Sequence, residues 1–498
     1  MALPYRPNDI EIRECLILNY RGRFIDIREL LLEFSMFHDL MDTNGIHCEI
    51  VFADSNGLVE MLPVVGDETL VITFRTPSFQ NFRQYIFRVY KVGDRAKIEQ
   101  RGDAYVIYGA SLETINNHRS SVNKSFSGLN GSDIVTSIYE NQLIARAADH
   151  QAVRRNKTLT VEETNNSINL VVPGEKPFEV INQVSRESQS KSRPKITTIN
   201  YDIEGNRTSV EEPVEIDLPT LSSNFVFYED YNGWNFRTID SLMNRVYPDP
   251  KNEGNTRDYI EDFYLVDASH EAKPKDGPKI NDSQKITKVD FVKQFDSLEN
   301  LADGFYYHKV ETIDPILKTF KTENFNYNDD YKDINHLEKK LSHVGTNGKQ
   351  HMFSADSIFA SDSGTAKTHY VISDLADSYD KFSIETDNQL SNPRKIQQFI
   401  KYDWVSRLQL NNIVLSITIP GNTNIDVGQT VQLHLPQTSQ IPDFMTKLNL
   451  LYGKKFFVTA VRHTLNKDDN TFFTIMECVK DTYAREVIEE TTETIEDE

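Results

Sequence analysis

The residues best spaced for chemistry lie near the C-terminal end. Asn466, Asp468, Asn470 and Glu477 occupy positions 1, 3, 5 and 12 of a calcium-loop spacing,. Such a loop turns sharply at position 6, usually on glycine, and here that position is Thr471,. The flanks read as strands, so a polar hairpin turn is the expected structure. His336, His343 and His351 are loosely spaced in a polar stretch and read as solvated loop residues, not as a metal-ligand set,. Gly128-Leu129-Asn130-Gly131 lacks the Lys-Ser/Thr that would grip a phosphate and its magnesium,. Arg101-Gly102-Asp103 reads as a turn between strands,. The chain has no HExxH, no GxSxG and no paired Cys/His zinc spacing,. Catalytic, cofactor-binding and metal-binding residues are therefore all expected to be absent. A pair of carboxylates acting on a glycosidic bond is defined by its spatial separation, which spacing along a chain does not give.

The elements that must position these residues are mostly strands. Ile46, Cys48, Ile50 and Phe52 alternate with neighbours of different character, as do Leu70, Ile72 and Phe74, and Tyr85, Phe87 and Val89,. Thr43-Asn44-Gly45, Ser55-Asn56-Gly57 and Gly66-Asp67 punctuate them,. Short strands at this spacing predict a barrel or sandwich. Ser132 is placed to cap a helix from Asp133 to about Leu143, and Pro177 to open a second helix,. Between them, strands at about 157–162 and 167–172 are expected to pair across Asn165-Asn166. Residues 191–222 read as a polar linker. Phe225 and Phe227, then Asn232-Gly233, then Trp234 and Phe236 predict a hairpin with a type I′ turn,. Residues 248–284 read as irregular and 328–392 as a polar insertion. Strands return with Ile413, Leu415, Ile417 and Ile419, the Val427-Gly428-Gln429 turn, and a last pair around residues 466–470.

Composition bounds the function. The chain has 498 residues, enough for about three domains,. Its 54 basic and 75 acidic residues leave a formal charge of −21, which disfavours sequence-specific binding to nucleic-acid phosphates,. Residues 486–498 carry seven acids and no base, the pattern of a solvated tail,. The three cysteines, Cys15, Cys48 and Cys478, form no CxxC pair, which points to a reducing compartment,. The N-terminus lacks an apolar signal core, and no run of about 18 apolar residues offers a membrane span.

Two segments carry a family resemblance. Asp42-Thr43-Asn44-Gly45-Ile46-His47-Cys48-Glu49-Ile50 through Leu58, and Leu62-Pro63-Val64-Val65-Gly66-Asp67-Glu68-Thr69-Leu70 through Phe74, resemble the baseplate hub subunit of T-even-type contractile phages. Tyr108–Glu113, Val122–Gly128, Asn224–Leu242, Gly428 with Leu435-Pro436, and Val461-Arg462-His463 continue the likeness in order. Such hubs are similar to the N-terminal part of type VI secretion spike proteins. The resemblance implies a mainly β chain with α+β elements. It implies two tube-like β-barrels with mixed domains between them, assembling as a ring-shaped homotrimer. The expected divisions are 1–110 for the first barrel, 111–247 for a mixed domain and 248–392 for a region with insertions that includes the start of the second barrel. The second barrel follows at 393–484 and an acidic tail at 485–498. Expected partners are a spike or lysozyme trimer, tail-tube initiator proteins, and tape-measure protein and DNA passing through the lumen, in a virion assembled in the host cytoplasm. No cofactor is implied. The residues expected to shape the hub are Pro63, Gly66, Asp67, Glu68, Asn232, Gly233, Trp234, Phe236, Gly428 and His463. A tail-associated hydrolase and a receptor-binding module are the alternatives from other classes.

Overall fold

The computed structural model describes residues from Asn8 to Asp481, with the longer omissions at 58–63, 145–156, 266–280, 338–366, 373–393 and 436–453. Among the described residues the chain is mainly β, with mixed sheets and short helices.

Seven strands come first: β1 (Glu11–Leu18), β2 (Phe24–Asp26), β3 (Leu31–Asp39), β4 (His47–Asp54), β5 (Thr69–Arg75), β6 (Arg83–Glu99) and β7 (Gly102–Ala110). They pair in the order β3-β4-β7-β6-β5-β1-β2. Alternation places Phe34, Ile50, Phe52, Ile72, Phe87 and Ile107 in one core, because successive side chains on a strand point to opposite faces,. We call this the N-terminal wall.

A mixed region follows. It contains α1 (Leu112–Arg119), β8 (Val122–Asn130), α2 (Gly131–Ile138), β9 (Thr158–Glu162), β10 (Ser167–Glu175) and α3 (Pro177–Glu187). Next come β11 (Lys195–Tyr201), β12 (Arg207–Val210), β13 (Val214–Glu215), β14 (Phe225–Glu229), β15 (Gly233–Thr238) and α4 (Ile239–Met243). Four expectations are corrected here. Asn130, not Ser132, stands at the cap of α2, which runs into a wider π turn at Tyr139–Leu143 instead of continuing as α-helix. The strands β9 and β10 do not pair with each other: β9 lies between β11 and β15, and β10 pairs with β8. The supposed linker supplies β11, the neighbour of β9, because Ile196, Ile199 and Tyr201 bring apolar surface that a linker lacks. The β14–β15 hairpin forms, but Asn232 has no positive φ, so its turn is not type I′,. The Asp230 carboxylate accepts from the amides of Asn232 and Gly233 and shapes the turn instead.

The rest of the chain builds a second wall from scattered pieces. After β16 (Tyr247–Pro248) and β17 (Thr256–Arg257), β18 (Asp262–Leu265) comes from the stretch read as irregular, and β19 (Lys285–Ile286) and β20 (Lys288–Gln294) follow just beyond it. A satellite follows: α5 (Ser297–Ala302), β21 (Tyr307–Asp314), β22 (Thr319–Asn326), β23 (Lys367–Ile372) and α6 (Arg394–Gln409). Then come β24 (Ile413–Pro420), β25 (Thr430–His434), β26 (Lys454–Asn466) and β27 (Thr471–Lys480). The pairings run β18-β25-β26-β27-β24-β20, and β19 pairs with β18 just before the chain enters β20. The amide of Thr287, between β19 and β20, donates to Thr418 O on β24. The pairings thus run from β18 to β20, and the chain itself links those two strands through β19 and Thr287, around Ile417, Val431, Leu433, Phe456, Val458 and Met476. We call this the C-terminal wall.

Candidate functional site

The two walls meet on one long hairpin. The first half of β26 pairs with β25, from Leu433↔Lys454 to Thr430↔Phe457. Its second half pairs with β3, from Ala460↔Asp39 to Asn466↔Glu33. A register shift between Val458 and Ala460 marks the crossing, where an extra residue re-aims the strand,. Leu465 and Phe472, at the tip of this C-terminal hairpin, are buried in the N-terminal core. The amide of Phe472 also donates to Asn8 O, ahead of β1. Gly421 lies under this tip, and a Cβ there would come within 1.8 Å of the Phe472 ring.

A buried polar cluster fastens the crossing. His38, on β3, places its Nδ1 2.8 Å from Asp426 Oδ1. Asp426 lies between β24 and β25, and its Oδ2 accepts from the amide of Tyr231 in the central hairpin at 2.8 Å. One carboxylate therefore holds three segments that are distant in sequence. Burial alone would raise its pKa, but the charge and hydrogen bond of His38 prevail and hold it down to about 2,. Beside it, His463 is 1% exposed and its Nδ1 lies 3.0 Å from Thr474 Oγ1. Burial, then the neighbouring His38, push its pKa down to about 3, so the ring is neutral. Tyr85 and Arg83 pack on Tyr231 from the N-terminal wall, the guanidinium lying 4.3 Å from the ring centre.

A second fastening joins the hairpin to the N-terminal wall. Glu229 accepts from the amide of Ile46 at 2.9 Å and from Lys157 Nζ at 2.6 Å. Lys157 also bonds Glu113 on α1 at 2.5 Å. Burial would lower the lysine's pKa, but the two carboxylates outweigh it and the pKa is raised. Gly45 permits this approach, since a Cβ there would sit 2.8 Å from Glu229 Oε2.

Of the residues singled out from sequence, Gly428 and His463 lie at or beside the crossing. Gly428 has φ +73°, its amide bonds Val458 O, and Tyr228 Oη would be 2.9 Å from an added Cβ. Gly233 abuts β9, where a Cβ would meet Thr158 O at 2.1 Å. Trp234 and Phe236 fill the central core, stacked on Phe227 and Phe225 at 4.7 Å. Gly66, Asp67 and Glu68 sit apart, ahead of β5. The amides of Val65, Gly66 and Asp67 all donate to the Glu68 carboxylate, so this acid is engaged by its own turn. Pro63 lies outside the described residues, as do Asp468, His343, His351 and residues 482–498.

One sequence reading of a polar residue needs correction. His336 is not solvated, because its Nδ1 lies 2.8 Å from Asp481 Oδ2 and its side chain is 9% exposed. The calcium spacing cannot converge, since Asn466 pairs with Thr471 at the hairpin tip while Glu477 lies along β27 opposite Ala460 and takes the Thr459 hydroxyl. The three cysteines are free and buried, and burial raises each thiol's pKa. Sequence reasoning missed Asp426, His38 and Tyr231. They lie in separate runs, and their convergence depends on the β26–β3 register.

No protein-family model matches the sequence, and no curated protein matches it. Solved structures do resemble the fold. A tail protein from Neisseria meningitidis MC58 gives a TM-score of 0.46 at 10% identity, over 94% of this chain and 96% of that one. The 43 kDa tail protein of prophage MuSo2 from Shewanella oneidensis gives 0.48 at 7%, over 94% and 98%. An E. coli component of the type VI secretion system, described as similar to the T4 tail proteins gp27 and gp5, gives 0.39 at 9%, over 96% and 78%. The structural neighbours of this chain are phage tail proteins and type VI secretion components. No helix among the described residues is long and apolar enough to cross a membrane.

Proposed function

We propose that the chain is a structural hub of a contractile phage tail baseplate, acting by shape and not by turnover. The observation that carries this reading is the shared hairpin: β26 and β27 serve the N-terminal wall with one end and the C-terminal wall with the other. Rotation of one wall against the other would break a continuous ladder, so the two move as one body. In this reading the walls are two β-barrels, with the mixed region between them in sequence and the satellite inserted into the second, between β20 and β24. Three copies would place six barrels around a lumen, matching a sixfold tube to a threefold spike. Closing strand edges against a neighbour also removes the aggregation hazard of an open sheet. The lumen is expected to be acidic and to let tape-measure protein and DNA pass without sticking.

The carboxylates of the crossing are already engaged by donors, which favours a fastening role over acid–base work. Mass measurement in solution, with and without a candidate spike trimer, tests the proposal. A threefold mass with a central passage seen by electron microscopy supports it. A monomer under both conditions that clears purified peptidoglycan would replace it with the hydrolase reading.

A further inference from the structure

The central sheet has two unlike faces. Leu159, Val161, Ile199, Tyr201, Trp234 and Phe236 point into the core under the helices. The alternate residues of the same strands open on a groove of about 820 Å³, lined by Thr160, Thr198, Asn200, Asn235, Arg237 and Arg245. Arg237 is 6% exposed, and its guanidinium is held by Ser241 Oγ at 3.3 Å and Ser241 O at 3.2 Å. Arg245 packs over the Tyr247 ring. Neither guanidinium forms an ion pair among the described residues. Burial, uncompensated by a carboxylate in contact, lowers the Arg237 pKa.

The acids of the groove are engaged by other donors, Asp230 by the amides of Asn232 and Gly233. Asp217 pairs with Arg193, Glu215 lies 3.9 Å from Lys195, and Glu211 takes a hydrogen bond from Asn200. Lys157, at the groove's end, is neutralised by Glu113 and Glu229. Among the described residues, Arg237 and Arg245 are thus the cations of the groove that no carboxylate contacts, with the charge of Asp230 acting on Arg245 from a distance. Val246, 59% exposed, adds an apolar lip.

We propose that this groove seats the chain's own acidic segment, residues 486–498, with its carboxylates on Arg237 and Arg245 and its backbone along the threonine and asparagine side chains. That segment has seven acids and no base, and interleaves them with Val487, Ile488 and Ile495. Reach is ample. The described chain ends at Asp481, two residues beyond Val479, which shares a core with Leu242 and Met243. Asn244 and Arg245 follow those two directly. Residues 482–498 can span roughly 55 Å when extended. A tether of this kind gives an effective concentration on the order of 1 mM, so a contact with a Kd of about 0.1 mM would be mostly formed.

The test is the labelling rate of a groove cysteine by N-ethylmaleimide in the full chain. Thr198→Cys provides it against three buried natural thiols, and Thr160→Cys is the substitute if the first variant misfolds. Replacing the seven tail acids by Gln or Asn should speed labelling about tenfold at low salt, as the tether estimate implies. Concentrated salt should do the same with the natural tail, and so should Arg245→Ala. Equal rates with acidic and neutralised tails overturn the proposal. Indifference to Arg245→Ala overturns the assigned contact. Protection that grows with protein concentration overturns it as well, since the occupant is then a second copy.

Discussion

The two walls are built in opposite ways. In the N-terminal wall β3 to β7 follow one another within residues 31–110, and the tip of one distant hairpin is added to their core. The C-terminal wall is gathered from β18 to β20 and from β24 to β27, more than a hundred residues apart. A wall of local strands needs little beyond its own alternation and turns. A wall of distant pieces must also be told where to meet, and long-range pairing of this kind is entropically costly. The buried fastenings lie where that information is needed. Asp426 sits between β24 and β25, and what it holds is the other wall and the central hairpin.

The sharpest way to break this comparison is Asp426→Ala. Removing the carboxylate takes the acceptor from the buried His38 Nδ1 and from the Tyr231 amide, and leaving a buried donor unsatisfied typically costs about 1–3 kcal/mol,. The loss should be local to the crossing. Hydrogen exchange is expected to rise in β25 and the second half of β26, while β5 and β6 stay protected. A uniform rise through both walls would mean that Asp426 is no more than a general stabilising contact.

Gly421→Ala attacks the same crossing by volume. Its Cβ would overlap the Phe472 ring, and overpacking of this kind costs about 1–3 kcal/mol,. The expected signs are a lower denaturation midpoint with an unchanged m value. Gly102→Ala, where an added Cβ meets nothing within 4 Å, is the control and should leave the midpoint nearly unmoved.

Acid separates two of the cluster's ionisable groups, His463 and Asp426. His463 has its folded pKa depressed to about 3, so the unfolded chain takes up a proton that the folded chain refuses. Its contribution is full above about pH 6.5 and falls between there and about 3, with a slope of about 1.4 kcal/mol per pH unit. Asp426, depressed to about 2, loses its contribution only below about 3.8,. His463→Gln should therefore flatten the stability profile between pH 6 and 4 and leave the more acidic limb in place. An unchanged slope over pH 6–4 would show that His463 is not the neutral buried group.

These contrasts also explain what could be read from the sequence. Alternation at Ile46–Phe52 and Leu70–Phe74 located β4 and β5, since a strand with one buried face writes its period into residue types. The Phe225–Phe236 hairpin was legible for the same reason, though its turn is set by Asp230 and not by Asn-Gly. The strand β11 was hidden, because its Thr197 and Thr198 look like linker until β9 pairs beside them. The short strand β18 was hidden too, since four residues carry too little period to register. Gly428 and His463 drew notice as residue types, whereas Asp426 resembled any other acid in a chain with 75. Its role exists only in the folded register that brings His38 and Tyr231 to it.

The smallest expected effect concerns the central sheet, which ties into neither wall by a ladder. Thr238 ends β15 and caps α4: its hydroxyl accepts from the amide of Ser241 at 3.2 Å and donates to the buried Glu162 carboxylate at 3.0 Å. Losing such a cap costs about 1 kcal/mol. Thr238→Ala should lower the unfolding free energy by that amount, read from the denaturation midpoint at unchanged m value, and Thr238→Ser, which keeps the hydroxyl, should recover most of it. Glu162 retains the amide of Thr238 and the hydroxyl of Ser190 in either variant, so the carboxylate stays bonded and the loss stays small. Trp234 and Phe236 hold β15 in the central core, and α4 packs Ile239 and Leu242 on the C-terminal core without pairing at the crossing; amides at the β26–β3 crossing should therefore exchange as they do in the unaltered chain. Faster exchange at that crossing would show the central sheet and the walls to be one cooperative unit, and the contrast between wall and sheet would then lose its basis.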